Sequence, residues 1–160
     1  MPPFEIENLS SLKQFEGREF PATDWLAITQ DRIQKFADAT EDRQWIHLDA
    51  ERAERESPFG GTIAHGFLTL SLLAYWMKQA IHIHSGIALT VNYGLNKVRF
   101  PAAVRAGSPV HARVTLLSVK ESPEFVDATF LFHVESEHVE SQPPSKPCCV
   151  AEWLVRYYPQ

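Results

Sequence analysis

The hydrophobic residues of this chain change their spacing once, and that change constrains the fold more than any other feature. From about His65 to Ile81, apolar side chains occur on nearly every side of a helix, which is typical of a buried helix. After Ser85-Gly86 the apolar residues alternate with polar ones, the period of a strand with one buried face. The sequence therefore predicts one long buried helix followed by a series of strands.

The alternating segments predict about four or five strands, mostly antiparallel. They cover residues 87–93, 98–100, 110–116, 125–135 and 150–156, with breaks at Pro101, Gly107-Ser108, Ser122-Pro123 and Pro143-Pro144-Ser145. Because a helix buries all its sides only when a sheet curves about it, the predicted fold is α+β: a curved antiparallel β-sheet wrapped around a long central helix. We expect a single domain over residues 1–160, and a homodimer that covers the unpaired edge strand of the sheet.

Two shorter helices are predicted before the long one. Thr29 fits an N-cap, and apolar residues recur at helical spacing behind it over about residues 30–40. Asp49 fits the cap of a second, highly charged helix over residues 50–56. The segment 41–48 between them has no regular period, so we expect it to be a loop held by two helices.

Composition excludes several classes of partner. The chain has 160 residues, 15 Lys and Arg against 20 Asp and Glu, and a net charge of −5. Without a cluster of basic residues, no nucleic-acid partner is expected. The adjacent Cys148 and Cys149 imply no disulfide framework and fit a reducing compartment. The N-terminus lacks a signal-peptide pattern, and the longest apolar stretch, 66–77, is shorter than a membrane span of about 20 residues. We therefore expect a cytoplasmic protein with no membrane partner.

The residues that suggest chemistry lie in this loop and at the start of the long helix. Asp42 and His47 are close enough in sequence for a turn to place a carboxylate and an imidazole around one water molecule, as acid-base catalysis requires. The alternative is that Asp42 ends a helix and His47 is a buried, hydrogen-bonded histidine. His65-Gly66 opens the long helix, where free backbone N–H groups can hold a carbonyl oxygen. There the alternative is a cap and a small residue needed for close packing.

The segments 36–49 and 57–67, with Arg52-Ala53 between them, resemble the signature of the MaoC-like dehydratases, the (R)-specific enoyl-CoA hydratase family of the hotdog fold. The residues Gln44-Trp45-Ile46-His47 and the later segment 92–101 are similar to the branch that includes nodulation protein N. The resemblance covers about residues 15–157 and agrees with the architecture expected from the change of period.

The resemblance implies a hydro-lyase of fatty acid metabolism that adds water reversibly to the double bond of a trans-2-enoyl thioester. Asp42 and His47 match the catalytic pair of the family motif. The backbone N–H of Gly66 would stabilise the charge that develops on the thioester carbonyl. Ser71 and His65 are further candidates for substrate binding, although the Ser71 hydroxyl can equally bond back to its own helix.

This chain departs from the family pattern at one place, since many hydratases have Asn-Pro where Gln44-Trp45 stands here. Trp45 either shortens the acyl pocket or anchors the loop. The resemblance assigns no role to Asn92 or Tyr93, and for Arg99 we favour a structural ion pair.

The expected substrate is an acyl-CoA thioester, with coenzyme A entering only as part of the substrate and no other cofactor. An acyl carrier protein is the alternative carrier, but it is acidic and would need a basic cluster that the sequence does not show. Lys97, Arg99 and Arg105 are candidates to meet its phosphates. No metal is expected, because His82 and His84 have no Cys or carboxylate beside them in sequence. Two other functions remain open for the fold: a non-catalytic acyl-thioester-binding protein and an acyl-CoA thioesterase.

Overall fold

The structure, a computed structural model, describes residues 1–137 and 146–160. The predicted break at Pro143-Pro144-Ser145 lies outside these residues. The elements before the four long strands are β1 (Phe4–Ile6), a 3-10 helix (Leu9–Phe15), β2 (Leu26–Ala27), α1 (Gln30–Thr40), α2 (Trp45–Leu48), α3 (Ala50–Glu56), α4 (Gly66–Ser71), α5 (Leu73–Ala80) and β3 (Ile81–Ile83). The long strands are β4 (Ile87–Arg99), β5 (Pro109–Glu121), β6 (Val126–Ser136) and β7 (Cys149–Pro159).

Five strands form one antiparallel sheet in the order β2-β5-β6-β7-β4. Buried and half-buried residues alternate along β6, so one face of the sheet is covered. Phe130 and Phe132 on that face are fully buried and pack in one core with Trp76 of α5. The predicted curved sheet over a central helix is therefore present.

The segments predicted as two strands, 87–93 and 98–100, form the single strand β4. Its pairing with β7 shifts register between Asn92 and Gly94 and again between Leu95 and Val98. A bulge inserts an extra residue and moves the following side chains to the other face, which interrupts the alternation without ending the strand.

The central helix differs in two ways from the helix predicted. It is divided at Leu72, whose N–H donates to the carbonyl of Thr69, so α4 ends in a tighter turn before α5 begins. It is also open on one side in the single chain, where Phe67 is 68% and Tyr75 44% exposed. An apolar period predicts burial, but it does not say whether the same chain provides the cover.

The two capped helices agree with the sequence. The side chain of Thr29 accepts a hydrogen bond from the N–H of Arg32 at the start of α1, and that of Asp49 accepts one from Arg52 at the start of α3. The segment between them contains only the single turn α2. Among the described residues, no helix is long and apolar enough to cross a membrane.

A second sheet was not predicted. Strand β1 pairs in parallel with β3, and this places Glu5 opposite His82. Both strands have only three residues, too few for a period to be recognised in the sequence.

Candidate active site

His47 is buried on α2, and one of its ring nitrogens is already committed to the backbone. Its Nδ1 lies 2.7 Å from the carbonyl oxygen of Ile63. Since a carbonyl only accepts hydrogen bonds, Nδ1 carries the proton, and in the neutral ring Nε2 carries the lone pair. This arrangement leaves His47 able to act as a base through Nε2.

The environment of His47 keeps the ring neutral. Burial, the largest effect, lowers the pKa of His47 from its ordinary value of 6.5, and the neighbouring His65 lowers it further. The hydrogen bond to Ile63 and the charge of Asp42 raise the pKa of His47, but each by less than burial lowers it. At pH 7 the side chain is therefore ready to accept a proton.

His65 joins the two residues of the predicted pair. Its ring stacks on that of His47, with centroids 3.7 Å apart and planes inclined by 25°. Its Nε2 lies 2.9 Å from the backbone oxygen of Asp42, to which it donates, and 3.9 Å from the carboxylate Oδ2 of that residue. Because His65 is buried, it forms a fixed support between the imidazole of His47 and the segment that carries Asp42.

The turn after α1 brings Asp42 to this position. Glu41 ends α1 in the left-handed conformation, with φ 61° and ψ 11°, which reverses the chain direction directly before Asp42. One ligand atom from each of Asp42, His47 and His65 lies within 4.8 Å of the other two. Two hydrogen bonds of about 2.8 Å through one water molecule span that separation. The side chain of Asp42 is half exposed, whereas that of His47 is buried.

Gly66 begins α4 directly after His65, and no larger side chain fits there without movement. A Cβ atom at Gly66 would lie 2.9 Å from Cγ of Phe100. Gly66, Thr69 and Phe100 line a cavity of about 300 Å³. Neither Asp42 nor His47 is among the described residues that line it. In the single chain, the first turn of α4 and the Asp42-His47 pair therefore do not share one enclosed pocket.

Ser71 lies apart from this cluster. Its hydroxyl donates to the carbonyl of Phe67 at 2.7 Å, the helix bond that was the alternative to a substrate contact. Ser71 lines a separate cavity of about 160 Å³, together with Asn92 and Trp153. A role for Ser71 in substrate binding stays a prediction.

Trp45 and Asn92 have packing partners. The guanidinium of Arg52 lies 4.2 Å from the ring centroid of Trp45, in agreement with the anchoring interpretation of this residue. The side-chain oxygen of Asn92 accepts a hydrogen bond from Nε1 of Trp153 at 2.6 Å.

The cationic candidates differ in what they contact. Lys97 pairs with Glu152 at 3.5 Å. Arg99 donates to the carbonyl of Val98, and no carboxylate within residues 1–137 and 146–160 pairs with it, so the structural ion pair that we favoured is not found there. Arg105 donates to the carbonyl of Gly60 at 2.7 Å.

Gln30 is a residue of the site that the sequence did not reveal. Its amide nitrogen donates to the backbone oxygen of His47 at 2.7 Å, and its amide oxygen accepts from the hydroxyl of Thr62 at 2.6 Å. Ile63, the residue after Thr62, holds the ring of His47. Gln30 thus ties together the two segments that fix His47, through contacts that no local spacing in the sequence indicates.

Comparison with known proteins adds the family. The protein-family model described as "MaoC like domain" matches residues 12–134 of this chain. The chain belongs to the MaoC-like domain family. It is 47% identical over 153 residues to 3-hydroxyacyl-thioester dehydratase Z of Mycobacterium tuberculosis, covering 95% of this chain and 97% of that protein. It is 40% identical over 148 residues to nodulation protein N of Rhizobium meliloti, covering 92% and 89%. The predicted family resemblance is confirmed.

The fold has solved relatives. The MaoC-like dehydratase of Rhodospirillum rubrum superimposes with a TM-score of 0.69 at 22% identity, over 96% of this chain and 97% of that one. At 22% identity, this structural similarity shows a shared fold and not a shared function. The hotdog architecture predicted from the sequence is confirmed.

The depressed pKa of His47 predicts a pH dependence of stability. Between its folded pKa and the ordinary value of 6.5, the unfolded chain binds more protons than the folded chain, so the free energy of unfolding falls as pH decreases through 6.5. Urea unfolding at pH 7.5, 6.5 and 5.5 should show a smaller pH-dependent loss in His47→Gln than in the unchanged protein. Equal losses of stability in the two proteins, or an NMR titration that gives His47 a pKa above 6.5, would contradict a lowered pKa of His47.

The contacts of Gln30 predict a local cost for its replacement. Gln30→Met removes both hydrogen bonds and leaves the His47 carbonyl and the Thr62 hydroxyl without a partner, which should lower the free energy of unfolding by about 1–3 kcal/mol. Gln34→Met is the matched control, because Gln34 is exposed on the same helix and bonds only Asp38 in the described structure. It should change stability by less than about 0.5 kcal/mol. Equal effects in the two variants would show that Gln30 does not hold the site.

Proposed function

We propose that this protein is an (R)-specific enoyl-CoA hydratase, or 3-hydroxyacyl-thioester dehydratase, which adds water reversibly to trans-2-enoyl-CoA. The observation that carries the proposal is the proximity of Asp42 and His47, with Nδ1 of His47 bonded to Ile63 and the ring kept neutral. This arrangement can hold one water molecule and remove a proton from it.

The enzyme class predicted from the sequence, a hydro-lyase, is confirmed at the level of the family. A relative that is 47% identical and covers nearly the whole chain is named for the dehydration of a 3-hydroxyacyl thioester. The reaction it names is the reverse of the proposed hydration. The residues that perform it and the substrate of this chain are part of the proposal.

Each side chain has a step in the proposed mechanism. Asp42 accepts one hydrogen bond from the water and orients it, while Nε2 of His47 removes the other proton as the water oxygen attacks C3. The new C3–O bond forms as the electron pair of the double bond moves toward the thioester carbonyl. The protonated His47 then delivers its proton to C2 on the same face, so one water is added and both side chains return to their initial state.

Charge on the thioester oxygen must be stabilised during the attack. Gly66 lies in the first turn of α4, where backbone N–H groups have no partner within the helix. We assign its N–H to the developing oxyanion, and the loss of one such donor costs about 10²–10³ in rate. His65 supports Asp42 and His47 rather than reacting with the substrate.

Coenzyme A is the proposed carrier of the acyl group, and the mechanism uses no other cofactor and no metal. Arg99 and Arg105 are the favoured partners for its phosphates, because the only described side-chain bond of each is to a neutral backbone carbonyl. Lys97 is already paired with Glu152. A cytoplasmic location stays a prediction from the sequence.

We further propose that the working enzyme is a homodimer. Strand β4 lies at the edge of the large sheet, and apolar side chains on it, including Leu89 and Leu95, are exposed. Phe67 and Tyr75 on the central helix are exposed as well. A second copy that covers these residues would remove the free edge and close the open side of the helix.

Substitution of the catalytic pair tests the activity. The unchanged protein should consume the enoyl absorbance of crotonyl-CoA and yield the (R)-3-hydroxyacyl product. Asp42→Asn and His47→Asn should each lower the rate by about 10²–10⁴. Asp31→Asn is the control, since Asp31 is exposed on α1 and pairs only with Lys35 in the described structure, and it should retain full activity.

Other outcomes would overturn this proposal. Release of free coenzyme A thiol without formation of a 3-hydroxyacyl product would establish a thioesterase. Binding of enoyl-CoA without turnover at any chain length would establish an acyl-thioester-binding protein. Unchanged hydration in both pair variants would show that Asp42 and His47 are not catalytic.

The dimer is tested by charge on the exposed edge strand. Leu95→Asp should convert the protein from a dimer, with twice the mass of one chain, to a monomer, because burying a carboxylate without a partner in the interface costs free energy. Leu117→Asp is the control, since Leu117 on the inner strand β5 is 39% exposed and Leu95 is 43% exposed. Light scattering after gel filtration measures the mass. A monomeric unchanged protein at micromolar concentration would contradict the homodimer.

A further inference from the structure

The small sheet of β1 and β3 gathers three metal-binding side chains on one exposed face. Glu5 lies opposite His82 in the parallel register, and His84 follows two residues later. Residues two apart along an extended chain point to the same side. A carboxylate far away in the sequence therefore stands beside the two histidines, which the sequence did not indicate.

The distances among these side chains are close to those that a metal ion requires. Nε2 of His84 lies 2.8 Å from Oε2 of Glu5, and the ring centroids of His82 and His84 are 4.7 Å apart. One ligand atom from each residue lies within 4.8 Å of the other two. Tetrahedral ligands at about 2.0–2.1 Å from zinc lie about 3.3 Å apart. All three side chains are exposed, so each can change its rotamer when an ion binds.

We propose that Glu5, His82 and His84 form a surface binding site for a divalent transition metal ion of the zinc type. Two imidazoles and one carboxylate suit zinc and its neighbours, whereas calcium and magnesium prefer oxygen ligands only. Three protein ligands leave a fourth position for water.

Such an ion would fasten the N-terminal strand to the rest of the domain. In the described structure β1 pairs only with β3, which directly follows α5. A metal bridge from Glu5 to His82 and His84 joins the two strands through side chains as well as backbone. Because the bound ion requires both strands in place, binding stabilises the folded chain.

This site is separate from the catalytic cluster, and the proposal does not depend on the proposed reaction. In the cluster, Nδ1 of His47 and Nε2 of His65 already hold backbone carbonyls. Glu5, His82 and His84 have no part in the mechanism given above.

The test is a zinc titration of the full-length chain, free of any histidine tag and stripped of metal by a chelator that is then removed. Calorimetry with ZnCl₂ should show that His84→Asn binds one ion fewer than the unchanged protein, or binds that ion with an affinity lowered by at least about tenfold. Glu5→Gln, a conservative second variant, should weaken binding in the same way. His111→Asn is the matched control, because His111 pairs with Glu135 at 3.3 Å and is not in a group of three ligands in the described structure.

Thermal unfolding gives a second readout. Zinc should raise the melting temperature of the unchanged protein and of His111→Asn, but not that of His84→Asn. Hydration of crotonyl-CoA should be the same in these variants without zinc, which separates this proposal from the proposed function. Zinc binding and stabilisation that persist in both His84→Asn and Glu5→Gln, or that disappear only in His47→Asn, would place the ion elsewhere and overturn the proposal.

Discussion

The packing of the central helix against the curved sheet is the constraint on which the other features depend. Trp76 of α5 is fully buried in one core with Phe130 and Phe132 of β6, so the helix and the inner strands keep a fixed separation. Because α4 continues into α5 with only one tighter turn at Leu72, the position of α5 also fixes the start of α4. His65 and Gly66 are placed there, which means that the core sets the position of the ring stack beside the proposed catalytic pair, Asp42 and His47.

The site itself is assembled from contacts between loop segments that the core leaves free. His47 is held at its ring by the Ile63 carbonyl and at its backbone by Gln30, while His65 holds the backbone of Asp42. Each of these bonds uses a backbone carbonyl, which has no protonation equilibrium of its own near neutral pH. Because these acceptors do not titrate, only the lone pair of His47 changes in the proposed reaction.

The sequence predicted the features that depend on residues close together in the chain. Thr29 and Asp49 cap α1 and α3 as predicted, and the segments of alternating residues form the sheet. These features could be predicted because a cap or a hydrophobic period depends only on neighbouring residues. The proximity of Asp42 and His47 was also expected from their short separation. The contacts of Gln30 and the grouping of Glu5 with His82 span distant segments, and they arise only from the way the fold brings these segments together. The break at Leu72 was missed because apolar residues continue through it.

One side of the central helix is not covered by the chain itself. Its apolar period predicted burial on all sides, yet Phe67 and Tyr75 are exposed in the single chain. The same chain leaves β4 without a partner on its outer edge. The two features are close together, because Leu95 of β4 lines one cavity with Ser71 and Ala74 of the central helix. At the start of α4, the cavity lined by Gly66 does not reach Asp42 or His47 among the described residues. The helix lacks cover, the edge strand lacks a partner and the proposed acyl site lacks a wall, and the proposed second copy would supply all three.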